Sequence, residues 1–132
     1  MNEDKIVFTN GCFDIIHPGH IEYLKQSRSH GTALIVGLNS DESMRRIKRE
    51  SYHTQEQRKQ VLEAIRYVDK VIIFDEDTPL ELIKEVKPYM ITKGGDYEPE
   101  YVVGRGLALI KIMDTMPGQS SSKILDFLND KT

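Results

Sequence analysis

An α/β fold, a doubly wound five-stranded parallel sheet with helices on both faces, is predicted by three observations in this 132-residue chain. Strand-like and helix-like segments alternate almost throughout, the pattern of a parallel sheet covered on both sides. Ala33-Leu34-Ile35-Val36-Gly37-Leu38 and Val71-Ile72-Ile73-Phe74 are continuous apolar runs, as expected of strands buried on both faces. Capping residues recur between the strands, at Asn39-Ser40-Asp41, at Thr54 with Gln57, and at Thr78-Pro79 with Glu81.

In chain order, Ile6-Val7-Phe8 reads as the first strand and Asn10-Gly11 as a turn signal in which the backbone reverses. Pro18 suits the first position of a helix running to about Ser29, with Ile21 and Leu24 turned inward and Gly31 closing it. The Ala33–Leu38 strand leads to a short helix from Glu42 to about Ile47. A helix opening at Thr54 places Val61, Leu62, Ile65 and Val68 at helical spacing as its buried face. After the Val71–Phe74 strand, a helix with Thr78 as cap and Pro79 at its first position buries Leu82, Ile83 and Val86 and stops at Lys87-Pro88. Tyr89-Met90-Ile91-Thr92 is the fourth strand and Leu107 to Met113 the fifth. A last helix begins among Ser120, Ser121 and Ser122.

Length and composition narrow the classes of function. A chain of this size fits one domain, 1–132, with one core. Hydrophobic residues at 39% and charged residues at 30% are ordinary for a soluble globular protein, and no apolar run approaches a membrane span. The polar start Met1-Asn2-Glu3-Asp4-Lys5 reads as no signal peptide, so a cytoplasmic protein is expected. A net charge of −3 argues against general nucleic-acid binding. The single Cys12 has no internal partner for a disulfide. A zinc site from Cys12, His17 and His20 lacks a fourth ligand and the usual spacings.

The stretch Phe8 to His20 is where chemistry concentrates. His17 and His20, three apart, fall on one side of a helix start, beside free N–H groups and the positive end of the helix dipole, a setting that attracts phosphate. Gly19 lets another group approach the backbone closely. Arg45, Arg46, Lys48 and Arg49 crowd one segment, either as a solvated helix face or as a basic flap over phosphates. On its residues alone, Asp14 reads as a turn or capping carboxylate. Loops after strands one, four and five emerge at the same end of such a sheet, where ligands bind.

His17-Pro18-Gly19-His20 resembles the HxGH signature of the nucleotidyltransferase superfamily, and Asn10-Gly11-Cys12-Phe13-Asp14 before it is similar to the cytidylyltransferase-like family. That family includes glycerol-3-phosphate cytidylyltransferase and the heptose 1-phosphate adenylyltransferase domain. The likeness extends through Thr54 to Asp69 and through Gly118 to Ile124, where Ser121 and Ser122 replace the two threonines of a Ser-Thr-Thr motif. It implies a Rossmann-like fold and nucleotidyl transfer from an NTP, carried with Mg²⁺, to a small phosphorylated metabolite, with release of pyrophosphate. It also implies a homodimer. The catalytic residues implied are His17, His20, Lys48 and Arg58. Thr9, Asn10, Gly11, Phe13, Gly19, Lys93, Gly94, Asp96, Ser120, Ser121 and Ser122 would bind the nucleotide, and Asp14 the acceptor.

Lys93-Gly94-Gly95-Asp96-Tyr97 and Glu76-Asp77-Thr78-Pro79 look like the heptose branch, which favours ATP with D-glycero-D-manno-heptose 1-phosphate. Ser51-Tyr52-His53 looks more like the glycerol-3-phosphate enzyme, whose donor is CTP. A nucleotide-binding module without turnover is the alternative of another class.

Overall fold

The computed structural model describes residues 4–95 and 98–113. Within them the order is β1 (Ile6–Gly11), α1 (Pro18–Ser29), β2 (Ala33–Asn39), α2 (Asp41–Arg46), α3 (Gln55–Glu63), β3 (Lys70–Phe74), α4 (Leu80–Val86), β4 (Met90–Gly94), a short 3-10 turn at Pro99–Tyr101, and β5 (Leu109–Met113). The strands form one sheet in the order β3-β2-β1-β4-β5, each neighbouring pair parallel. The chain winds outward from β1 to β3 and then returns to the other side of β1 for β4 and β5. The C-terminal ends of β1 and β4 therefore flank the switch point where open α/β sheets bind ligands.

Period-two alternation assigns the strands' side chains to two cores. Val7 packs with Leu24 of α1, Leu34, Val36 and Leu38 of β2, and Leu62 of α3. Its neighbour Phe8 faces the opposite side, with Phe74, Ile91, and Leu82 and Ile83 of α4. Each such fully buried aliphatic or aromatic side chain contributes about 1.5–3 kcal/mol of transfer free energy. Gly37 lets the second core close, because a Cβ there would stand 2.7 Å from Phe8 Cζ and 3.2 Å from Leu82 Cδ2.

Several boundaries differ from those read in the sequence. Asn10 and Gly11 do not turn: they extend β1, paired with Gly37 and Leu38, and the left-handed residue is Phe13, with φ 45°. Helix α3 stops at Glu63 because its closing hydrogen bonds tighten to three-residue spacing, Ala64 N–H reaching Val61 O and Ile65 N–H reaching Leu62 O. Asp69 then draws the chain onto the sheet, its N–H donating to Leu34 O while its carboxylate accepts Leu34 N–H and pairs with Arg28 at 2.8 Å. Val61 consequently faces solvent, and the inward side of α3 is Arg58 and Leu62.

Pro79 is the N-cap residue of α4 rather than its first helical residue, and Thr78 contributes only a long 3.4 Å bond from Leu80 N–H. Strand β5 begins at Leu109, two residues later than expected, because Leu107 N–H bonds back to Gly104 O in a turn. The helix expected from Ser120 to Ser122 lies outside the described residues.

Candidate active site

His17 is the N-cap of α1, and its imidazole takes part in a reciprocal capping box. His17 Nδ1 accepts Gly19 N–H at 3.1 Å, and His20 Nδ1 accepts His17 N–H at 3.2 Å. The rings lie 3.9 Å apart, centroid to centroid, tilted by 34°. A ring nitrogen that accepts carries no proton, so each neutral imidazole holds its proton on Nε2 and presents it as a donor. Burial lowers the pKa of His17, and burial followed by the charge of His17 lowers that of His20 to about 4. Both rings are therefore neutral at pH 7, with defined tautomers.

The same geometry corrects one expectation. The first turn of α1 does not offer free N–H groups: Pro18 has none, Gly19 donates to His17 Nδ1, and His20 and Ile21 both donate to His17 O. Donors toward an anion at this helix start are the imidazole Nε2–H groups, supported by the helix dipole.

The loop from β1 to α1 is shaped by Phe13. Its ring folds over Gly11, where a Cβ would stand 3.0 Å from Phe13 Cε2, and meets the His20 ring edge-on at 5.9 Å. A non-glycine residue in the left-handed region costs about 1–3 kcal/mol and persists where its surroundings over-determine it. Here the ring packs into the core beneath the loop.

Arg58 is fully buried. Its Nη1 donates to Cys12 O at 2.9 Å and Asn39 O at 2.8 Å, its Nε to His53 O at 3.3 Å, and its Nη2 to Asp41 Oδ1 at 2.9 Å. One guanidinium thus ties the β1 loop, the end of β2, the start of α2 and the segment before α3. For Asp41, burial opposes ionisation, but the Arg58 and Gln55 hydrogen bonds and the Arg58 and Arg45 charges hold its pKa below the usual value. Asp14 braces the same region from the loop side, accepting Tyr52 N–H at 2.6 Å, His53 N–H at 2.9 Å and, at 3.5 Å, the Ser51 hydroxyl.

A hydroxyl network missed in the sequence joins three elements beneath the histidines. Thr9 Oγ1 donates to Thr92 O at 3.0 Å and lies 2.7 Å from Tyr23 Oη, which is 3.3 Å from Thr92 Oγ1; Ser27 Oγ lies 2.9 Å from Thr92 Oγ1. Thr9, Ser27 and Thr92 are buried. Burial raises the Tyr23 phenol pKa despite these partners. The signal was available, since Tyr23 and Ser27 follow His20 at spacings of three and seven on one helix face. Next to Thr92, Lys93 is pushed to a lower pKa by burial, an effect the nearby Cys12 opposes.

The basic cluster divides. Arg46 bonds Asp77 Oδ1 at 2.9 Å and Asp75 O, Arg45 pairs with Glu42, and Arg49 Nη1 lies 3.7 Å from Cys12 Sγ. Lys48 is exposed in a left-handed conformation, φ 59°, and its side chain meets no partner among the described residues.

The structure thus gathers Thr9, Asn10, Gly11, Phe13, Asp14, His17, Gly19, His20, Arg58, Lys93 and Gly94 around the ends of β1 and β4, while Lys48 follows the end of α2. Asp96, Ser120, Ser121 and Ser122 lie outside the described residues. No group of three or more His, Cys, Asp or Glu side chains suited to a metal occurs among the described residues, and the Asp14 carboxylate is occupied by backbone N–H groups. Among the described residues, no cluster of side chains would hold Mg²⁺ without the phosphates of a nucleotide. No described helix is long and apolar enough to cross a membrane.

The chain is similar over most of its length to known proteins. The chain is 51% identical to the bifunctional protein HldE of Campylobacter jejuni strain RM1221, over 98% of this chain and 29% of that protein. It is 48% identical to bifunctional HldE of Aliarcobacter butzleri strain RM4018, over 92% of this chain and 26% of that protein. The chain therefore spans less than a third of the length of the curated relatives it matches. Among solved structures, the lipopolysaccharide core biosynthesis protein of Thermoplasma volcanium GSS1 superposes with a TM-score of 0.74 at 27% identity, covering 86% of this chain and 98% of that one. Pantoate-beta-alanine ligase of Francisella tularensis, at 14% identity and a TM-score of 0.64 over 96% of this chain and 66% of that one, shares the fold. The cytidylyltransferase-like family model matches residues 8–124, and the chain belongs to that family.

Proposed function

We propose that the chain is a nucleotidyltransferase that joins AMP from ATP to the phosphate of a heptose 1-phosphate and releases pyrophosphate. The observation that carries this reading is the His17–His20 pair, two neutral imidazoles with their Nδ1 atoms occupied and their Nε2–H groups left to donate at the sheet's switch point. An oxygen of the acceptor phosphate forms a bond to the α-phosphorus as the bond to the bridging oxygen breaks, and pyrophosphate leaves with that electron pair. Positioning and charge stabilisation are all the protein need supply. His17 and His20 donate to oxygens on which charge builds, Lys93 and Gly94 line the nucleotide side, and Lys48 closes on the phosphates as positive charge. Ser120, Ser121, Ser122 and Asp96 complete the nucleotide site. Mg²⁺ arrives as part of the MgATP substrate. Arg58 and Asp14, bound within the protein, serve by holding the loops.

The heptose acceptor is supported by the identity to HldE relatives and by the Lys93 to Tyr97 motif. Ser51-Tyr52-His53 favours a second reading, CTP with glycerol 3-phosphate. Pyrophosphate release over a grid of four NTPs against both acceptors separates them. Turnover with ATP and heptose 1-phosphate is expected. Turnover with CTP and glycerol 3-phosphate alone replaces the substrate pair, and ATP binding without turnover on any acceptor leaves a binding module. The chain is further proposed to act as a homodimer, which sedimentation at micromolar concentration tests.

A further inference from the structure

Between α2 and the 49–54 segment lies a cavity of about 520 Å³, lined among the described residues by Asp41, Arg45, Arg49, Glu50, Tyr52 and His53 together with their neighbours. Its size suits a small metabolite. We propose that this cavity receives the sugar of a phosphorylated acceptor, with Tyr52 as its platform and Arg49 at its phosphate end. The inference rests on the nucleotidyl-transfer reading and deepens it.

Three observations carry it. Arg49 both lines the cavity and reaches Cys12 Sγ at 3.7 Å, so the cavity adjoins the loop that leads into His17. Tyr52 is 79% exposed, yet it is not loosely held: its N–H is bound by Asp14 at 2.6 Å and its ring meets His53 edge-on at 4.8 Å. A ring ordered in advance can pack against the C–H face of a pyranose without further loss of freedom. Charge is arranged to match, since Arg49 offers a fork of donors to phosphate while Glu50 can accept from sugar hydroxyls.

Topology separates this cavity from the nucleotide. The α2 and 49–54 segments follow β2, on one side of β1, whereas Lys93 and Gly94 end β4 on the other. An acceptor on the β2 side and a nucleotide on the β4 side would meet over the β1 loop and its histidines.

The test is calorimetric titration of wild type, Tyr52→Ala and Arg49→Ala with D-glycero-D-manno-heptose 1-phosphate in the presence of a non-hydrolysable ATP analogue, and separately with the analogue alone. Truncating an exposed side chain leaves the fold intact, which a thermal melt verifies. Sugar phosphate affinity is expected to fall about tenfold in both variants, with analogue affinity within twofold of wild type. Unchanged sugar phosphate affinity in Tyr52→Ala, equal weakening of both ligands, or loss of the analogue alone overturns the proposal. Wild-type pyrophosphate release is measured alongside: turnover with unaltered Tyr52→Ala binding sinks this cavity alone, and absence of turnover sinks the functional reading.

Discussion

His20 Nδ1 accepts the backbone N–H of His17 at 3.2 Å while the His17 ring caps the helix that carries His20. The side chains that start the helix are also the donors aimed at substrate, so one pair of rings has two separable roles.

His17→Asn separates them. Asparagine is a strong N-cap residue but lacks the distal N–H of imidazole. Stability is expected to change by less than about 1 kcal/mol while kcat falls roughly 10²–10³-fold, the loss typical of one transition-state donor. His17→Ala should lose the same activity and about 1 kcal/mol more stability. Urea melts and steady-state rates check both; identical stability for the two variants would disprove the capping role.

The pH dependence follows from the same nitrogens. Protonation turns each Nδ1 into a donor and breaks the cap, and folding lowers the pKa of His17 and brings that of His20 to about 4. An unfolded histidine titrates near pH 6.5, so between about 6.5 and 4 the unfolded chain binds more protons than the folded one. The pair's contribution is therefore full above pH 6.5, declines as pH falls through that window, and falls no further from His20 below about 4. Unfolding free energy measured across it should decline more steeply for wild type than for His20→Ala, with the two curves parallel above pH 7. Equal slopes throughout would remove the effect.

Arg58 is expected to act on the fold before it acts on rate. Removing one member of a buried ion pair typically costs about 3–5 kcal/mol. Arg58→Met takes the ion-pair partner from Asp41, which keeps the Gln55 N–H, and leaves three backbone carbonyls without the guanidinium; it should lose that much in urea unfolding. Arg58→Lys, with one ammonium for four acceptors, should recover little of it. A stably folded Arg58→Lys that lost only kcat would point to direct phosphate contact instead.

The sheet and its winding were legible because buried strands must be apolar throughout and caps must follow them, as at Ala33–Asn39 and Ser40. The histidine pair was legible from spacing. For Arg58 the sequence marks a cation on a helix but not the carbonyls it serves, two of which, Cys12 O and Asn39 O, come from distant segments and the third, His53 O, from just before its own helix. Placing Val61 on the buried face followed from counting apolar residues at helical spacing, a rule that fails when an arginine takes the inward position. Asn10-Gly11 signals a turn locally, yet pairing with Gly37 and Leu38 on β2 outweighs that preference.

Tyr23→Phe tests whether the hydroxyl network sets the histidines or only fills space. The Tyr23 hydroxyl contacts Thr9 of β1 and Thr92 of β4 from a position one turn beyond His20. Removing it leaves both threonines partnered, Thr9 with Thr92 O and Thr92 with Ser27, so no buried hydroxyl is orphaned and the loss should be about 1 kcal/mol. Thr92→Val instead deprives both Tyr23 and Ser27 of a partner in a buried site and should cost about 1–3 kcal/mol. Rate should not follow stability. Without its hydroxyl tether, α1 is free to shift against the strand ends, and misplacement by about 1 Å can cost as much as 10²-fold in rate. Tyr23→Phe is therefore expected to lose about tenfold in kcat with ATP affinity nearly unchanged, despite a melt close to wild type. Full kcat in that variant would reduce the network to packing.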